Sequence, residues 1–243
     1  MPAMQIFAAS IGQRLYGIYA GLTFGLVTLS TVSLLAVVPG KQRRRRVVRR
    51  SARLIFTLIG ARPMVAGLER LPDDPCVVVA NHCSYLDGII LTATLPPRFT
   101  FVIKKEMRGI PIAHFLLRRI GSEFVERFNR HQGATDARRI LQKAAQRDSL
   151  AFFPEGTFTP EPGLRRFQKG AFVAAARGTL PVVPVVIRGS RSMLPAGRWL
   201  VAPGRLSVIV KTPLHAAEQD IHGLIARTRS SILEDLGEPN RPS

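Results

Sequence analysis

Cysteine is scarce in this sequence: Cys76 and Cys83 are the only two in 243 residues. Two cysteines cannot build the disulfide framework of a small secreted domain, so that class is excluded and a reducing compartment is favoured. His82, His114 and His131 do not combine with the cysteines at the short spacings of zinc sites. We therefore expect neither a structural disulfide nor a bound metal.

Charge of either sign is missing from residues 15–38. As a helix this run would be about 36 Å long, enough to cross a hydrocarbon core of about 30 Å. A cleaved signal peptide fits poorly, because the run is too long and strong positive charge follows it. The run carries Gly17, Gly21 and Gly25 at four-residue spacing, which permits close helix contact. We expect these glycines to pack on the following helix rather than to form a dimer seam.

Acidic residues are absent before Glu69, whereas residues 41–53 contain eight lysines and arginines, and the net charge is +19. A basic cluster beside an apolar helix binds anionic headgroups and marks the cytoplasmic side. Residues 47–60 mix basic and apolar side chains, as an interfacial helix does. We predict an anchor at the cell inner membrane over residues 1–60 and a domain facing the cytoplasm over residues 61–243. A spanning helix and a helix bent back within one leaflet both remain open.

After the anchor, short apolar runs alternate with amphipathic stretches. This alternation predicts an α/β fold with a largely buried sheet. The predicted strands lie within residues 75–80, 99–104, 123–128, 150–155, 180–187 and 206–211, and the predicted helices lie near residues 84–95, 111–120, 132–147, 167–177 and 218–236. Function in such sheets gathers at the carboxyl ends of strands, so the polar residues that follow the apolar runs are the candidates.

The first candidate is the segment "NHCSYLD", which follows the apolar run "CVVVA". A bend after the strand would bring Asp87 back to one ring nitrogen of His82, leaving the other to take a proton. The alternative is structural: Asp87 in the first turn of a helix is favoured by the helix dipole. Cys83 is a possible nucleophile, but adjacent residues at a strand end point apart, so we expect no activation by His82. A G-x-S-x-G motif and a P-loop are both absent.

The second candidate is the segment "FPEGTFTPEPGLRRFQKGAF". Pro154 and Gly156 would form a turn around Glu155, and three basic residues follow in "LRRFQKG". This pattern suits a carboxylate for hydroxyl groups beside a phosphate-binding rim. An ordinary basic loop is the alternative.

Four blocks together resemble the glycerolphosphate acyltransferase superfamily. "NHCSYLD" resembles its NHx4D motif, and "KKEMRGIPIAHFLLRRIGSEFVERF", "FPEGT" and "LPVVPVVI" are similar to its second, third and fourth blocks. The blocks occur in order over residues 76–187. The best match is the 1-acylglycerol-3-phosphate (lysophosphatidate) acyltransferase branch, which also has a hydrophobic amino-terminal anchor. The resemblance implies a mixed sheet flanked by helices.

The resemblance also implies roles for the polar residues of the first two blocks. His82 would be the general base on the acceptor hydroxyl, and Asp87 would orient it and stabilise its charge. Arg127 would bind the acceptor phosphate, with Lys105 nearby. Glu126 stands where an aspartate is common in the family.

For the other two blocks, the resemblance implies binding and support. Glu155, Gly156 and Thr157 would shape the acceptor site. Pro184 would serve either acyl-donor binding or structure. "FPEGTFT" replaces the more frequent "FPEGTRS", so a basic residue is missing after Thr157.

The expected reaction is transfer of an acyl group from acyl-CoA or acyl-carrier protein to 1-acyl-sn-glycerol-3-phosphate, giving phosphatidic acid. Backbone N–H groups near the strand ends would hold the oxyanion, with no cofactor and no acyl-enzyme. Another lysophospholipid or a lyso-form of an amino-acid lipid is the alternative acceptor. A tethered, non-enzymatic polyanion-binding module explains the charge but not "NHCSYLD" and "FPEGT" together. The expected partners are therefore membrane lipids and the acyl donor, not nucleic acid; oligomeric state stays open.

Overall fold

The structure, a computed structural model, describes residues 11–126, 130–215 and 220–241, and only the backbone of residues 130–134. This part of the chain forms α-helices and strands in alternation. The helices are α1 (Ile11–Val37), α2 (Lys41–Leu58), α3 (Asp87–Thr94), α4 (Pro111–Arg119), α5 (Arg130–Ala145), α6 (Gly170–Gly178), α7 (Ser190–Met193) and α8 (Ile221–Leu236). The strands are β1 (Met64–Ala66), β2 (Val77–Ala80), β3 (Thr100–Lys104), β4 (Glu123–Val125), β5 (Leu150–Phe152), β6 (Val182–Arg188) and β7 (Ser207–Val210).

The strands form one seven-stranded sheet in the order β1-β7-β6-β2-β5-β3-β4. Strands β6, β2, β5, β3 and β4 run parallel, whereas β7 is antiparallel to β6 and β1 is parallel to β7. The predicted mixed α/β sheet is confirmed, and each of the six predicted runs contains a strand. Strand β1 was not predicted, because its three exposed residues show no burial pattern.

Helices cover both faces of the sheet. On one face, Val78 of β2 shares a core with Phe56 of α2 and Leu91 of α3. On the other face, Val79 shares a core with Phe172 of α6, and α5 and α8 add to that layer. Successive strand residues point to opposite faces, so a strand buried on both sides needs an uninterrupted apolar run such as "CVVVA".

Two predicted helices begin later than expected. Helix α3 begins at Asp87, because residues 84–86 form a turn in which the Leu86 N–H donates to Ser84 Oγ at 3.1 Å. Helix α6 begins at Gly170, because the preceding segment is held by the Gln168 N–H, which donates to the Pro154 carbonyl at 2.8 Å. The later start of α3 places Asp87 at the first position of the helix.

Helix α1 has one apolar side exposed and one side against the protein. Ile11, Leu15 and Leu22 on the outer side are more than half exposed, whereas Ala20 and Leu35 on the inner side are buried. Within the part of the chain that the structure describes, α1 is the helix long and apolar enough to cross a membrane. The exposed side is what a lipid-contacting helix requires.

The expectation for the α1 glycines is wrong. A Cβ at Gly17 would lie 2.9 Å from the Cβ of Leu200, which lies in the loop after α7 and not in α2. Gly21 and Gly25 have no atom within 4 Å of such a Cβ. The α1–α2 hairpin is instead held by hydroxyls such as that of Tyr16, which donates to the Ile59 carbonyl at 2.9 Å.

Helix α2 is docked on the domain by a buried arginine. Arg45 is 6% exposed, and its guanidinium donates to the carbonyls of Ile120 (2.8 Å) and Arg98 (2.7 Å) and to Thr100 Oγ1 (2.7 Å). Three hydrogen bonds to neutral acceptors offset part of the cost of burying this cation, and none comes from a carboxylate. Arg45 is therefore a structural residue and not a headgroup ligand.

Two further arginines of α2 face the domain at helical spacing from Arg45. Arg49 donates to the Thr94 carbonyl at 3.0 Å, and Arg53 donates to the Ala93 carbonyl at 2.8 Å. These carbonyls end α3, where a cation is favoured by the helix dipole. The basic block predicted to bind headgroups thus divides between an inner row and outer residues. The division of the chain at residue 60 stays a prediction.

Candidate active site

The site begins where Asn81 extends the pairing of β2 and β6. Its side-chain amide donates to the Ile187 carbonyl at 2.9 Å and accepts from the Ile187 N–H at 2.7 Å. The last backbone pair of the two strands is Ala80 with Val185. Beyond it, the side chain of Asn81 makes the hydrogen bonds to β6 that a backbone group would otherwise make. Sequence reasoning assigned no role to Asn81; an amide directly after a buried strand was the available signal. Asn81 determines where β2 stops and where the loop with His82 starts.

His82 and Asp87 meet at this strand end, as predicted. His82 Nδ1 lies 2.9 Å from Asp87 Oδ2, and the Asp87 side chain is fully buried. The same oxygen accepts the N–H groups of Cys83 (2.7 Å) and Ser84 (2.8 Å). A carboxylate at Nδ1 holds the ring proton there, so that Nε2 carries the lone pair of the neutral imidazole.

Both alternatives that the sequence left open for Asp87 are present at once. Asp87 is the first residue of α3, where a negative charge is favoured, and it also binds the imidazole of His82. The turn of residues 84–86 makes this possible, because it reverses the chain between the two side chains. The pair can remove a proton from a hydroxyl and stabilise the resulting imidazolium.

Aromatic rings enclose the imidazole. Phe153 stacks on His82 with ring centroids 4.3 Å apart, and Phe158 approaches it edge-on at 4.6 Å. Tyr85, which is 59% exposed, packs edge-on against Phe158 at 4.8 Å. Phe158 stands where the resemblance leads one to expect a basic residue, so an apolar ring lies beside the imidazole of His82 in place of a positive charge. Sequence reasoning noted this departure but did not place the ring on His82.

Glu155 holds the backbone of His82 in place. Its Oε1 accepts the His82 N–H at 2.7 Å, and its Oε2 accepts the Arg165 N–H at 2.8 Å. Burial raises the pKa of Glu155 to about 7, although the two N–H donors and the positive charge of Arg229 oppose the rise. Both oxygens thus accept backbone N–H groups, and the role of Glu155 toward an acceptor hydroxyl stays a prediction.

Gly156 and Thr157 follow in a tight turn. Gly156 has φ +81°, in the left-handed region that favours glycine, and its N–H donates to the Phe153 carbonyl at 3.0 Å. Thr157 is exposed. The turn returns the chain toward β2, which is how Phe158 reaches His82.

The predicted phosphate-binding residues lie farther along the same edge. Lys105 follows β3 and pairs with Glu126, which follows β4, at 3.0 Å. Strand β3 is two positions from β2 in the sheet, a separation of about 10 Å at ordinary strand spacing. Arg127 lies outside the described residues. The sequence expectation that polar residues after β2, β5 and β4 share one edge is confirmed for His82, Glu155 and Glu126.

Pro184 lies inside the sheet. It is buried in β6, pairs with Val79 of β2, and its carbonyl accepts the Lys211 N–H at 2.9 Å. This placement favours the structural alternative for Pro184 over a contact with the acyl donor.

Cys83 is turned away from the imidazole. Its side chain is 4% exposed, and its Sγ lies 3.2 Å from Ser190 Oγ on α7. Burial raises the pKa of the Cys83 thiol to about 12, and the negative charge of Asp87 adds to the rise. A thiol so strongly protonated is a poor nucleophile. The contribution of Cys83 to the site is its backbone N–H, which donates to Asp87, and not its thiol.

The expectation for the oxyanion is not met at the end of β2. The N–H groups of His82, Cys83 and Ser84 all donate to the carboxylates of Glu155 and Asp87. They build the site and are not directed at a substrate. Among the residues that the structure describes, no three His, Cys, Asp or Glu side chains are grouped as metal ligands.

Known proteins resemble this chain in sequence and in fold. The family model described as Acyltransferase matches residues 62–188, just over half of the chain. A lyso-ornithine lipid O-acyltransferase of Pseudomonas aeruginosa is 32% identical over 75% of this chain and 69% of that protein. A 1-acyl-sn-glycerol-3-phosphate acyltransferase of the same organism is 28% identical over 83% of this chain and 81% of that protein.

Two further comparisons concern length and fold. A chloroplastic 1-acyl-sn-glycerol-3-phosphate acyltransferase of Brassica napus is 31% identical over 71% of this chain, which spans about half (50%) of that relative's length. The crystal structure of the LPA acyltransferase PlsC from Thermotoga maritima has the same fold, with a TM-score of 0.76 and 21% identity over 91% of this chain and 95% of that one. By its family-model match and its curated relatives, the chain belongs to the acyltransferase family.

Proposed function

We propose that the protein transfers a fatty acyl group from an acyl thioester to the free hydroxyl of 1-acyl-sn-glycerol-3-phosphate, giving phosphatidic acid. The observation that carries the proposal is the contact of His82 Nδ1 with Asp87 Oδ2 at 2.9 Å, at the carboxyl edge of the sheet. Relatives whose names state this activity support the choice of acceptor.

The reaction follows from the protonation state of His82. Asp87 holds the proton on Nδ1, so Nε2 removes the proton of the acceptor hydroxyl as its oxygen attacks the thioester carbonyl. The resulting imidazolium lies against the buried carboxylate, which stabilises its charge. When the C–S bond breaks, the thiolate leaves and takes the proton from Nε2. No cofactor enters this sequence, and the acyl donor is a co-substrate.

The acceptor would lie along the carboxyl edge of the sheet, from β2 toward β3 and β4. Its hydroxyl would meet His82, and its phosphate would reach the positive charge of Lys105 and, as the sequence predicts, Arg127. A guanidinium binds phosphate through paired hydrogen bonds. Thr157 and Gly156 would border the acceptor between these ends.

A lyso-ornithine lipid is the second candidate acceptor. It is favoured by the apolar ring of Phe158 at a position that is frequently basic in the family, and by the relative that carries this activity in its name. An ornithine headgroup bears an ammonium in place of a phosphate, so fewer cations at the site would suit it.

Membrane association is part of the proposal. The exposed apolar side of α1 would enter the lipid, and the exposed Arg43, Arg46 and Arg50 of α2 would contact anionic headgroups. The domain would face the cytoplasm at the inner membrane. Acyl-CoA and acyl-carrier protein are both anionic, so the net charge of +19 suits either donor.

The test measures thiol release from acyl-CoA by the full chain, with and without lysolipid. We expect release with 1-acyl-sn-glycerol-3-phosphate and formation of phosphatidic acid, and none with the His82→Ala variant. Lyso-ornithine lipid and a neutral lysophospholipid are the comparison acceptors. Release without any lysolipid would make the protein a thioesterase, and release only with lyso-ornithine lipid would transfer the assignment to the second candidate.

A further inference from the structure

The loop between α7 and β7 carries an aromatic side chain that the proposed reaction does not use. Trp199 is 94% exposed and is the chain's single tryptophan. Its neighbour Leu200 is 43% exposed. Scattered apolar side chains on a surface are ordinary, so the position of this pair decides its meaning.

The pair lies beside the helix with the exposed apolar side. Leu200 and Val201 pack on α1 at Gly17, where a Cβ would come within 2.9 Å of Leu200 Cβ and 3.1 Å of the Val201 carbonyl oxygen. Only glycine allows this approach without displacing backbone. Trp199 directly precedes this contact in the chain and is therefore held beside the N-terminal third of α1.

The loop is held in this position by its own backbone. The Arg198 N–H donates to the Pro195 carbonyl at 3.2 Å, and the Ala202 N–H donates to the Met193 carbonyl at 2.8 Å. These bonds close the loop at both ends. Trp199 is thus exposed on a loop whose backbone conformation is fixed by hydrogen bonds.

Helix α1 is also held at its far end, so it runs along the domain. Arg119 of α4 donates to the Leu35 carbonyl at 2.9 Å, about 27 Å along the helix from Gly17. A lipid layer that covers the exposed side of α1 consequently reaches the elements that flank the helix, the Trp199 loop included.

The charge near the loop suits a lipid headgroup layer. No acidic residue occurs in the sequence between Glu161 and Glu218, whereas Arg198 directly precedes the exposed tryptophan and Arg205 follows it six positions later. Tryptophan concentrates at the boundary between headgroups and acyl chains, and adjacent arginines bind lipid phosphates.

We propose that residues 195–200 form a second membrane contact, in which Trp199 inserts at the headgroup level beside α1. The contact extends the lipid-facing surface of the α1–α2 hairpin, and it rests on the membrane association proposed above. The occupant of this surface is the bilayer interface.

The same loop is bonded to the segment that holds His82. Ser84 Oγ donates to the Leu194 carbonyl at 2.7 Å, and Ser190 of α7 contacts Cys83. A membrane contact at Trp199 therefore sets the distance between the lipid surface and the catalytic loop. This coupling gives the contact a role in admitting a lysolipid directly from the membrane.

The first experiment uses the intrinsic fluorescence of Trp199 in the full chain. Vesicles of phosphatidylethanolamine and phosphatidylglycerol are brominated either near the headgroup or near the methyl end of the acyl chains. We expect emission at shorter wavelength on membrane binding, and quenching about twofold stronger from the shallow bromines. The control places the tryptophan in the opposite layer, as Trp199→Phe combined with Ser230→Trp on α8, and should not be quenched.

Each other outcome contradicts the membrane contact. If the protein floats with the vesicles but its emission stays at long wavelength and is not quenched, Trp199 is in water. A blue shift that depends on protein concentration and not on bromine would assign the surface to a second copy of the chain. Equal quenching of both tryptophans would mean that the bilayer does not select this loop, and failure to float would remove membrane association itself.

The second experiment separates the contact from the proposed reaction. With Trp199→Glu, we expect the KM for a long-chain lysolipid in vesicles to rise about three- to tenfold, because a charge at the interface opposes insertion. The KM for a short-chain, monomeric lysolipid should stay within about twofold. Ser230→Glu is the matched control. Equal rises for both substrates would contradict the contact, whereas absence of turnover in the parent would refute the proposed function and leave the fluorescence result standing.

Discussion

The two ends of α3 are held in different ways. At the N-terminal end, Asp87 accepts the imidazole of His82 and two backbone N–H groups that precede the helix. At the C-terminal end, two carbonyls accept guanidinium groups of Arg49 and Arg53 from α2. A carboxylate thus lies at the positive end of the helix dipole and cations at the negative end, as the dipole favours.

The two ends differ in the sequence separation between the residues that are in contact. The N-terminal contacts join residues three to five positions apart, whereas the C-terminal contacts join residues 40 and 45 positions apart. The contact between His82 and Asp87 is therefore encoded locally, whereas the position of the C-terminal end of α3 depends on the α1–α2 hairpin. Variants at the two ends should separate loss of chemistry from loss of stability.

The largest effect is expected at the N-terminal end, from His82→Ala. Removing the general base should lower kcat on the order of 10²–10⁴-fold. Thermal stability should change little, because the ring is partly exposed and Asp87 keeps its two backbone donors. The measurement is thiol release with lysophosphatidate alongside the melting temperature. A variant that keeps more than about a tenth of the parent rate would exclude His82 as the base.

Glu155→Gln tests the support behind His82. A carboxamide accepts only one of the two backbone N–H groups that Glu155 accepts, so we expect kcat to fall about tenfold, the effect of losing roughly one hydrogen bond. An equal loss in Thr157→Ala, a neighbour whose side chain is exposed, would show that the effect is not specific to the support.

The same variant has a pH signature. The pKa of Glu155 is raised to about 7 from 4.5, so between these values the folded protein binds a proton that the unfolded chain releases. Its contribution to the free energy of unfolding is therefore full below pH 4.5 and is lost as pH rises through 7. Glu155→Gln should flatten this part of the stability profile, measured by melting temperature against pH. An unchanged slope would contradict the raised pKa.

On the docking side, Arg45→Met should act on stability and not on chemistry. It leaves the buried Ile120 carbonyl and the partly buried Arg98 carbonyl without their donor, at a cost of about 1–3 kcal/mol. We expect a melting temperature lower by several degrees and a kcat close to that of the parent in the folded protein. The exposed Arg43→Met is the matched control. A selective loss of kcat in Arg45→Met would mean that docking also sets the geometry of the site.

The smallest effect is expected from Cys83→Ser. The thiol is buried against Ser190, and its pKa is raised to about 12, so it has no part in the direct transfer. Activity should stay within about threefold of the parent, and blocking by thiol reagents should be no stronger. Trapping of an acyl group on Cys83 in the parent protein would overturn the direct mechanism.

Much of the site could be predicted because its parts are close in sequence. A buried apolar run ending in "NH", with an aspartate five positions later near a predicted helix start, was sufficient to predict that His82 and Asp87 meet, although the helix starts later than expected. The role of Asn81 was missed, since a side chain that imitates backbone pairing needs a partner strand, and Ile187 is 106 positions away. The edge-on contact of Phe158 with the imidazole likewise required the turn at Gly156.

Tertiary structure alone selected the arginines that hold the hairpin. Residues 41–53 contain seven arginines and one lysine, and the arginines are equivalent as residue types. Contact with the domain alone makes Arg45, Arg49 and Arg53 an inner row. The direction of Glu155 was likewise decided by the fold, because the His82 N–H that it accepts lies 73 positions earlier in the chain. Short-range sequence determines which chemical groups stand at a strand end, whereas burial and hydrogen-bond partners arise only when distant segments are packed together.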